Sequence, residues 1–384
     1  MLSLGKGLKA LILSNLSVMI ISVITGVIIA RILSVEERGV LASVYLWVTL
    51  SVSVFGDTLK EYCLSQKNNH TFFSFKLLLL SISLSVALSF LLLILNQKSE
   101  YLWYAFVFSI LNILTTCYLQ NLQSQSKFLL FSKYKAMMPL FYFLFLLFGF
   151  YFEFSLNSIL FINLLANFLV LFFISRTSIE KSRLVIEVPV FLQVFISVFV
   201  SAILMQFERV FISTIYSSES FAYFMIASTI IVTPITILFQ ALSNYLIVEI
   251  KNLKPSVKML FYIFIAFVFF GVVFVPISTC FLKPLVTFVF GDSYSPAEEY
   301  VLIAGFLGYI LNVKMLFFSV MRGEGLNQEL YRFHLFSFFV FSSFLLICFL
   351  VELDALNSLN YLFIVNSLLL LLFFFIYLRK KYKK

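Results

Sequence analysis

The sequence predicts an all-α integral membrane protein of about 12 transmembrane helices, arranged as two six-helix halves with both termini cytoplasmic. Three observations carry that prediction. Of 384 residues, 62% are hydrophobic and 12% charged, with a mean hydropathy of +1.06, whereas a soluble domain is about 45–50% apolar and about 25% charged. Apolar runs long enough to cross a bilayer recur along the whole chain. The basic residues are distributed among the breaks between those runs as a multi-pass topology requires.

The runs fall at 8–33, 39–59, 72–95, 101–120, 128–150 and 155–175. After a polar stretch at 176–187 come 188–214, 221–248, 257–282, 297–321, 330–351 and 356–378. The expected division is therefore an N-terminal bundle over 1–175, a cytoplasmic linker over 176–187 and a C-terminal bundle over 188–384. Pro276, Pro284 and Pro296 interrupt the ninth-to-tenth region, which with Pro139 and Pro234 is a candidate place for helix bending. With the termini inside, 22 of the 27 Lys and Arg lie on inner segments, leaving Arg31, Arg38, Lys98, Arg209 and Lys283 towards the outside. Acids such as Glu36, Glu37, Glu100, Asp292 and Asp354 lean to the outer connections. An even number of helices follows. The first apolar run leads into Arg31 rather than a small-residue cleavage site, so it reads as a retained helix.

The composition also excludes function classes. A net charge of +9 is read as topology rather than as nucleic-acid binding, because positive charge concentrates in cytoplasmic loops. Two His and 12 Gly leave little for metal clusters or phosphate loops. Cys63, Cys117, Cys280 and Cys348 lack close pairing and predict neither a disulfide framework nor a redox motif. The outer connections are short, which argues against a membrane-embedded polysaccharide polymerase or ligase. No enzyme, metal site or catalytic group is expected.

An internal repeat is visible at a spacing of 183 residues. Ile29, Ile32, Ser34 and Glu36 at the end of the first run match Ile212, Ile215, Ser217 and Glu219 at the end of the seventh, with Gly39 opposite Ala222. Both copies fall between the first and second helix of a half, which predicts a parallel repeat about an axis along the membrane normal.

These residues carry a family resemblance. The segment ARILSVEERGVLASVYLW resembles the connection between the first two helices of polysaccharide flippases, the Wzx-type O-antigen exporters of the multidrug/oligosaccharidyl-lipid/polysaccharide superfamily. ERVFISTIYSSESFAYF is similar to their seventh helix and following turn, with Glu208 where an Asp is frequent and Phe221-Ala222 in place of the usual Gly. FGDSYSPA resembles the connection before the tenth helix. The resemblance implies a multi-pass transporter of the bacterial cytoplasmic (inner) membrane that moves undecaprenyl-diphosphate-linked oligosaccharide to the outer leaflet by alternating access. Its implied partners are that lipid-linked oligosaccharide, the bilayer and the polysaccharide polymerase and chain-length machinery, with no nucleic acid. No cofactor is implied beyond coupling to a proton or sodium gradient. A cation-coupled drug or metabolite antiporter of the same superfamily is the alternative.

Polar residues inside the runs mark candidate transport positions, since such groups at membrane depth face a bundle interior or a hydrated cavity. Asn15 lies on the first run, with Ser22 and Gly26. Asn112, Thr116, Gln120 and Gln123 share a face of the fourth, and Gln193, Ser197, Ser201 and Glu208 mark the seventh. Thr229, Thr233, Thr236, Gln240 and Asn244 stripe the eighth around Pro234. Arg31, Arg209 and Lys314 are the candidates for a diphosphate headgroup, because Arg offers paired donors to phosphate. Asp57 and Glu208 are expected to partner those bases or to carry a coupling proton. His70 and His334 read as isolated.

Overall fold

The structure is a computed structural model, and it describes residues 2–65, 75–124, 127–149, 154–176, 188–253, 257–323 and 326–382. The chain is a multi-pass membrane protein with 13 α-helices among the described residues. Eleven of them are long and apolar enough to cross a bilayer, and a twelfth span results only if one bent pair is taken together.

The backbone groups into two compact units, Met1–Ile203 and Leu204–Lys384. The first unit holds α1 (Leu2–Ile32), α2 (Val35–Ser65), α3 (Phe75–Leu95), α4 (Leu102–Ser124), α5 (Phe128–Gly149) and α6 (Leu156–Ser175). It also takes most of α7 (Val188–Met205), where Phe195 stacks on Phe55 of α2 at 5.3 Å. In it α1 runs against α5, α2 packs on α3 and α4, and α6 packs on α4 and α5. Of the linker expected at 176–187, residues 177–187 lie outside the described residues.

The second unit holds α8 (Phe207–Ile215), α9 (Ser218–Leu253), α10 (Val257–Phe290), α11 (Ala297–Gly323), α12 (Asn327–Val351) and α13 (Ala355–Tyr382). Its centre is the pair α9 and α11, with α10 and α13 also against α11. Small residues let that pair close. A Cβ on Gly305 would lie 2.5 Å from Ile231 and 2.9 Å from Val275, and one on Gly308 would lie 2.5 Å from Val232. Without a hydrophobic gradient between helix and lipid, such close backbone approach is a main source of helix affinity. Asn312, one turn on, donates from Nδ2 to Thr236 Oγ1 at 3.0 Å and fixes the register.

Helix starts are set by local chemistry. Ser34 and Glu37 form a reciprocal cap on α2: Ser34 Oγ accepts from the Glu37 N–H at 3.3 Å, and Glu37 Oε2 accepts from the Ser34 N–H at 3.0 Å. The arrangement satisfies two donors that a helix N-terminus otherwise leaves open. At the aligned position 183 residues on, Ser217 Oγ accepts from the Ser220 N–H at 3.2 Å and starts α9. Ser155 caps α6 through the Ser158 N–H at 3.4 Å, and Asp354 caps α13 through the Asn357 N–H at 2.7 Å.

One expectation is corrected. The single helix predicted over 188–214 is broken into α7 and α8, which meet at a 65° bend at Gln206. No proline is involved; Gln206 adopts φ −114° and ψ 11°, and its carbonyl accepts from the N–H of both Arg209 (3.0 Å) and Val210 (2.9 Å). α10 runs through Pro276 and Pro284 as one helix of 34 residues. α10 turns much of its surface outward, Phe269, Val272, Phe281 and Phe288 among it, so the lost N–H groups and displaced carbonyls disturb little packing. Thr279 adds a hydroxyl bond to the Val275 carbonyl at 2.9 Å, one of the ways transmembrane helices accommodate proline.

Candidate functional site

In the second unit two charged residues, Glu208 and Arg209, open α8. Gln206 ends the helical geometry of α7, and its side-chain oxygen accepts from Arg209 Nη1 at 3.1 Å. Arg209 is thereby folded back on the break. Its neighbour Glu208 is half-buried and lies in the electrostatic field of both Arg209 and Lys314. Lys314, inside the apolar span of α11, is only 5% exposed. Its ammonium donates to Asn366 Oδ1 on α13 and lies 5.4 Å from the centre of the Phe341 ring on α12. Asn366 is held in turn by donation from Nδ2 to the Leu362 carbonyl at 3.0 Å. Phe341 stacks on Phe207 of α8 at 4.5 Å, which ties the aromatic face under the ammonium to the segment bearing Glu208.

Contacts of Phe207, Phe341, Lys314 and Asn366 therefore link α8, α12, α11 and α13 around one buried cation. A charge in such surroundings persists only when paired and hydrogen-bonded, and Lys314 has both a neutral acceptor and an anion nearby. With all three groups ionised the cluster carries a formal charge of +1. Guanidinium and ammonium donors match phosphate oxygens, and the carboxylate is the group that can exchange a proton with water. The structure thus places Glu208 and Arg209 at the start of α8 and holds Lys314 on α11 between Asn366 and Phe341. Asn366 and Phe341 went unnoticed in the sequence; Asn366, the deepest of three Asn in the run 356–378, was the available signal for the first, while one Phe among 51 gave none for the second.

The remaining candidates occupy other places. Arg31 is exposed in the last turn of α1, and Asp57 is exposed near the end of the α2 span. Asn15 accepts from Lys135 Nζ on α5 at 3.0 Å, beside a bond from Ser14 Oγ to the Ser132 carbonyl at 3.1 Å. Asn112 accepts from Thr116 at 3.4 Å, and Gln120 and Thr233 are half-buried. The side chains of Gln240, Asn244, Gln123 and Gln193 lie outside the described residues, as does His70. His334 is fully buried, edge-on to Phe318 at 4.8 Å.

The first unit holds a polar network that sequence reasoning missed. Tyr104 donates to Asn163 Oδ1 at 3.0 Å, and Asn167 Nδ2 donates to the same oxygen at 3.2 Å and to the Asn163 carbonyl at 2.8 Å. The Tyr45 and Tyr142 hydroxyls share a hydrogen bond of 2.9 Å, with the Tyr45 and Tyr104 rings 5.9 Å apart. The Asn163 and Asn167 spacing of one helical turn was a readable sign. Among the described residues, no group of three or more His, Cys, Asp or Glu is placed to hold a metal ion.

No protein-family model and no curated protein matches the sequence. The fold does match solved structures. A MOP superfamily transporter from Pyrococcus furiosus, described with a binding pocket of reversed polarity, aligns with TM-score 0.59 at 14% identity over 98% of this chain and 95% of its own. A MATE protein solved with MaD3S gives 0.57 at 14% identity over 99% and 97%. A multidrug resistance MATE family transporter in an outward-facing conformation gives 0.54 at 14% identity over 99% and 97%. Over essentially its full length the chain is similar in fold to these solved transporters.

Proposed function

We propose that the chain is a transporter rather than an enzyme, a flippase that carries a lipid-linked oligosaccharide with an anionic diphosphate headgroup from the inner to the outer leaflet of a bacterial cytoplasmic membrane. Both termini lie on the cytoplasmic side in this reading. One observation supports it above others: the buried Lys314, with Arg209, gives the second unit more cation than carboxylate inside apolar spans. A sugar diphosphate cannot cross about 30 Å of hydrocarbon unaided, and a positive site within the protein offsets the loss of its hydration. The proposed partners are the undecaprenyl-diphosphate-linked repeat unit and the polymerization machinery that consumes it.

A second reading is a cation-coupled drug or metabolite antiporter, which the fold suits equally. Glu208 favours it, as a carboxylate inside an apolar span that could receive a cation. Depletion of the protein in its own cell, followed by lipid extraction and external glycosidase treatment, separates the two. Repeat units trapped in the inner leaflet are the expected result. Undisturbed lipid-linked pools with altered sensitivity to cationic compounds would replace the flippase by the antiporter, and repeat units stranded in the outer leaflet would point to a polymerase or ligase.

A further inference from the structure

The outward surface of the second unit carries a site that the transport reading does not use. α11 pairs in opposite directions with α10, through Gly271 with Tyr309 and Gly305 with Val275, and in the same direction with α13, through Lys314 with Asn366 and Phe317 with Phe374. α10 and α13 are therefore antiparallel neighbours. They meet where Phe264 stacks on Phe374 at 3.9 Å, with Phe261 6.5 Å from the same ring. We propose that the outward trough between them is a docking surface for one anionic phospholipid, whose phosphate lies between Lys258 and Arg379 and whose two acyl chains follow α10 and α13. The inference goes beyond the cargo reading and does not depend on it.

Helix periodicity forms the trough. On α10, Lys258, Phe261, Ile265 and Val272 recur at helical spacing on one exposed stripe, and on α13, Ile364, Leu371, Phe375 and Arg379 do the same. Both stripes turn away from α11 on the same flank of the contact between Phe264 and Phe374, because the two helices run in opposite directions. Each apolar stretch, 261–272 and 364–375, is about 16 Å long at 1.5 Å per residue. That is about half of a hydrocarbon core of about 30 Å, the depth that the acyl chains of one leaflet fill.

Two bases close the same end of both stripes. Counted from the stacked rings of Phe264 and Phe374, Lys258 and Arg379 stand about 9 Å and about 7.5 Å along their helix axes, at nearly one depth. Both are exposed, and among the described residues neither has an ion-pair partner, whereas the neighbouring Lys380 is held by Glu329 of α12 at 2.7 Å. Long basic side chains lay their methylenes along an apolar surface and carry the charge into the headgroup layer, where ammonium and guanidinium donors match phosphate oxygens. The opposite end of the same helices exposes the acids Asp292, Glu299, Glu352 and Asp354 beside Lys283. Charge complementarity therefore assigns an anionic headgroup to the end with Lys258 and Arg379, and two stripes of equal length suit a lipid with two chains.

The experiment places a fluorescent reporter in the trough, Phe261→Trp in the full chain, reconstituted in phosphatidylcholine vesicles that contain increasing brominated phosphatidylglycerol or brominated phosphatidylcholine of the same chain length. Quenching is read as the difference from the unsubstituted chain, whose Trp47 and Trp103 lie in the first unit. Phe375→Trp, on the α13 wall, serves in place of Phe261→Trp should that variant not accumulate. The anionic lipid is expected to reach half-quenching at a mole fraction at least about fivefold lower than the neutral one. Lys258→Gln with Arg379→Gln is expected to bring the two lipids within about twofold, and the charge-preserving exchange Lys258→Arg with Arg379→Lys to keep the preference. Equal quenching by both lipids in the reporter chain overturns the proposal, as does a preference that survives the loss of both bases. Recovery of fluorescence when farnesyl diphosphate is added at the mole fraction of the brominated anionic lipid would give the trough to a polyprenyl diphosphate and end the phospholipid assignment.

Discussion

Lys314 and Asn366, 52 residues apart in sequence, join α11 to α13 through an ammonium–amide hydrogen bond among buried side chains. Removing the amide strands a buried cation's donor, whereas removing both partners leaves an apolar contact. Asn366→Leu is therefore expected to destabilise the chain by about 1–3 kcal/mol, and Lys314→Met with Asn366→Leu to recover part of that loss. Thermal unfolding of the two variants and of Lys314→Met in detergent measures the coupling. Additive effects would show that the bond contributes nothing of its own.

Arg209 is tied to the helix break through Gln206. Arg209→Ala is expected to abolish glycan export in a complementation assay at unchanged membrane abundance. Arg31, exposed at the end of α1, provides the comparison: the headgroup reading expects Arg31→Ala to fail as well, and normal export by both variants would remove arginine from the transport mechanism.

The contact of Gly308 with Val232 leaves no room for a side chain. Gly308→Ala is expected to cost about 1–3 kcal/mol through overpacking of α9 against α11. Adding Val232→Ala should relieve much of it. The check is the melting temperature of both variants, and equal destabilisation in the single and double variant would locate the strain elsewhere.

Tyr216, between α8 and α9, clamps the start of α13. Its hydroxyl lies 2.9 Å from the Leu353 carbonyl and 2.6 Å from Ser358 Oγ. Burial raises the phenol above its ordinary value of 10.0. With the folded-state value raised, the donated bond is fully present below pH 10.0 and is lost as pH rises through the higher folded value. Tyr216→Phe is expected to lower stability by about 1 kcal/mol by the same amount across neutral pH, as read from melting curves.

The membrane class and most helix positions were legible in the sequence because an apolar run in a bilayer has few alternatives to a helix. The break at Gln206 was not, since the apolar pattern of 188–214 continues across it and the break is stabilised by contacts to Arg209 and Val210 that hydropathy does not register. The prolines of α10 lie inside one helix, whose outward-facing surface tolerates them. The charged members of the second-unit cluster could be picked out one by one, because a charge inside an apolar run stands out. Their partners could not: Lys135 read as a topology marker until the structure joined it to Asn15, and Asn366 became meaningful only beside Lys314.

The continuity of α10 also bears on the lipid around it. Its apolar span, Lys258–Phe290, has 33 residues, about 50 Å at 1.5 Å per residue, against a hydrocarbon thickness of about 30 Å. The excess has to be absorbed by tilt, by bending at Pro276 and Pro284, or by local thickening of the bilayer. Acyl-chain length is therefore a variable that acts directly on this helix, and through its packing on α11 it reaches the helix that carries Lys314.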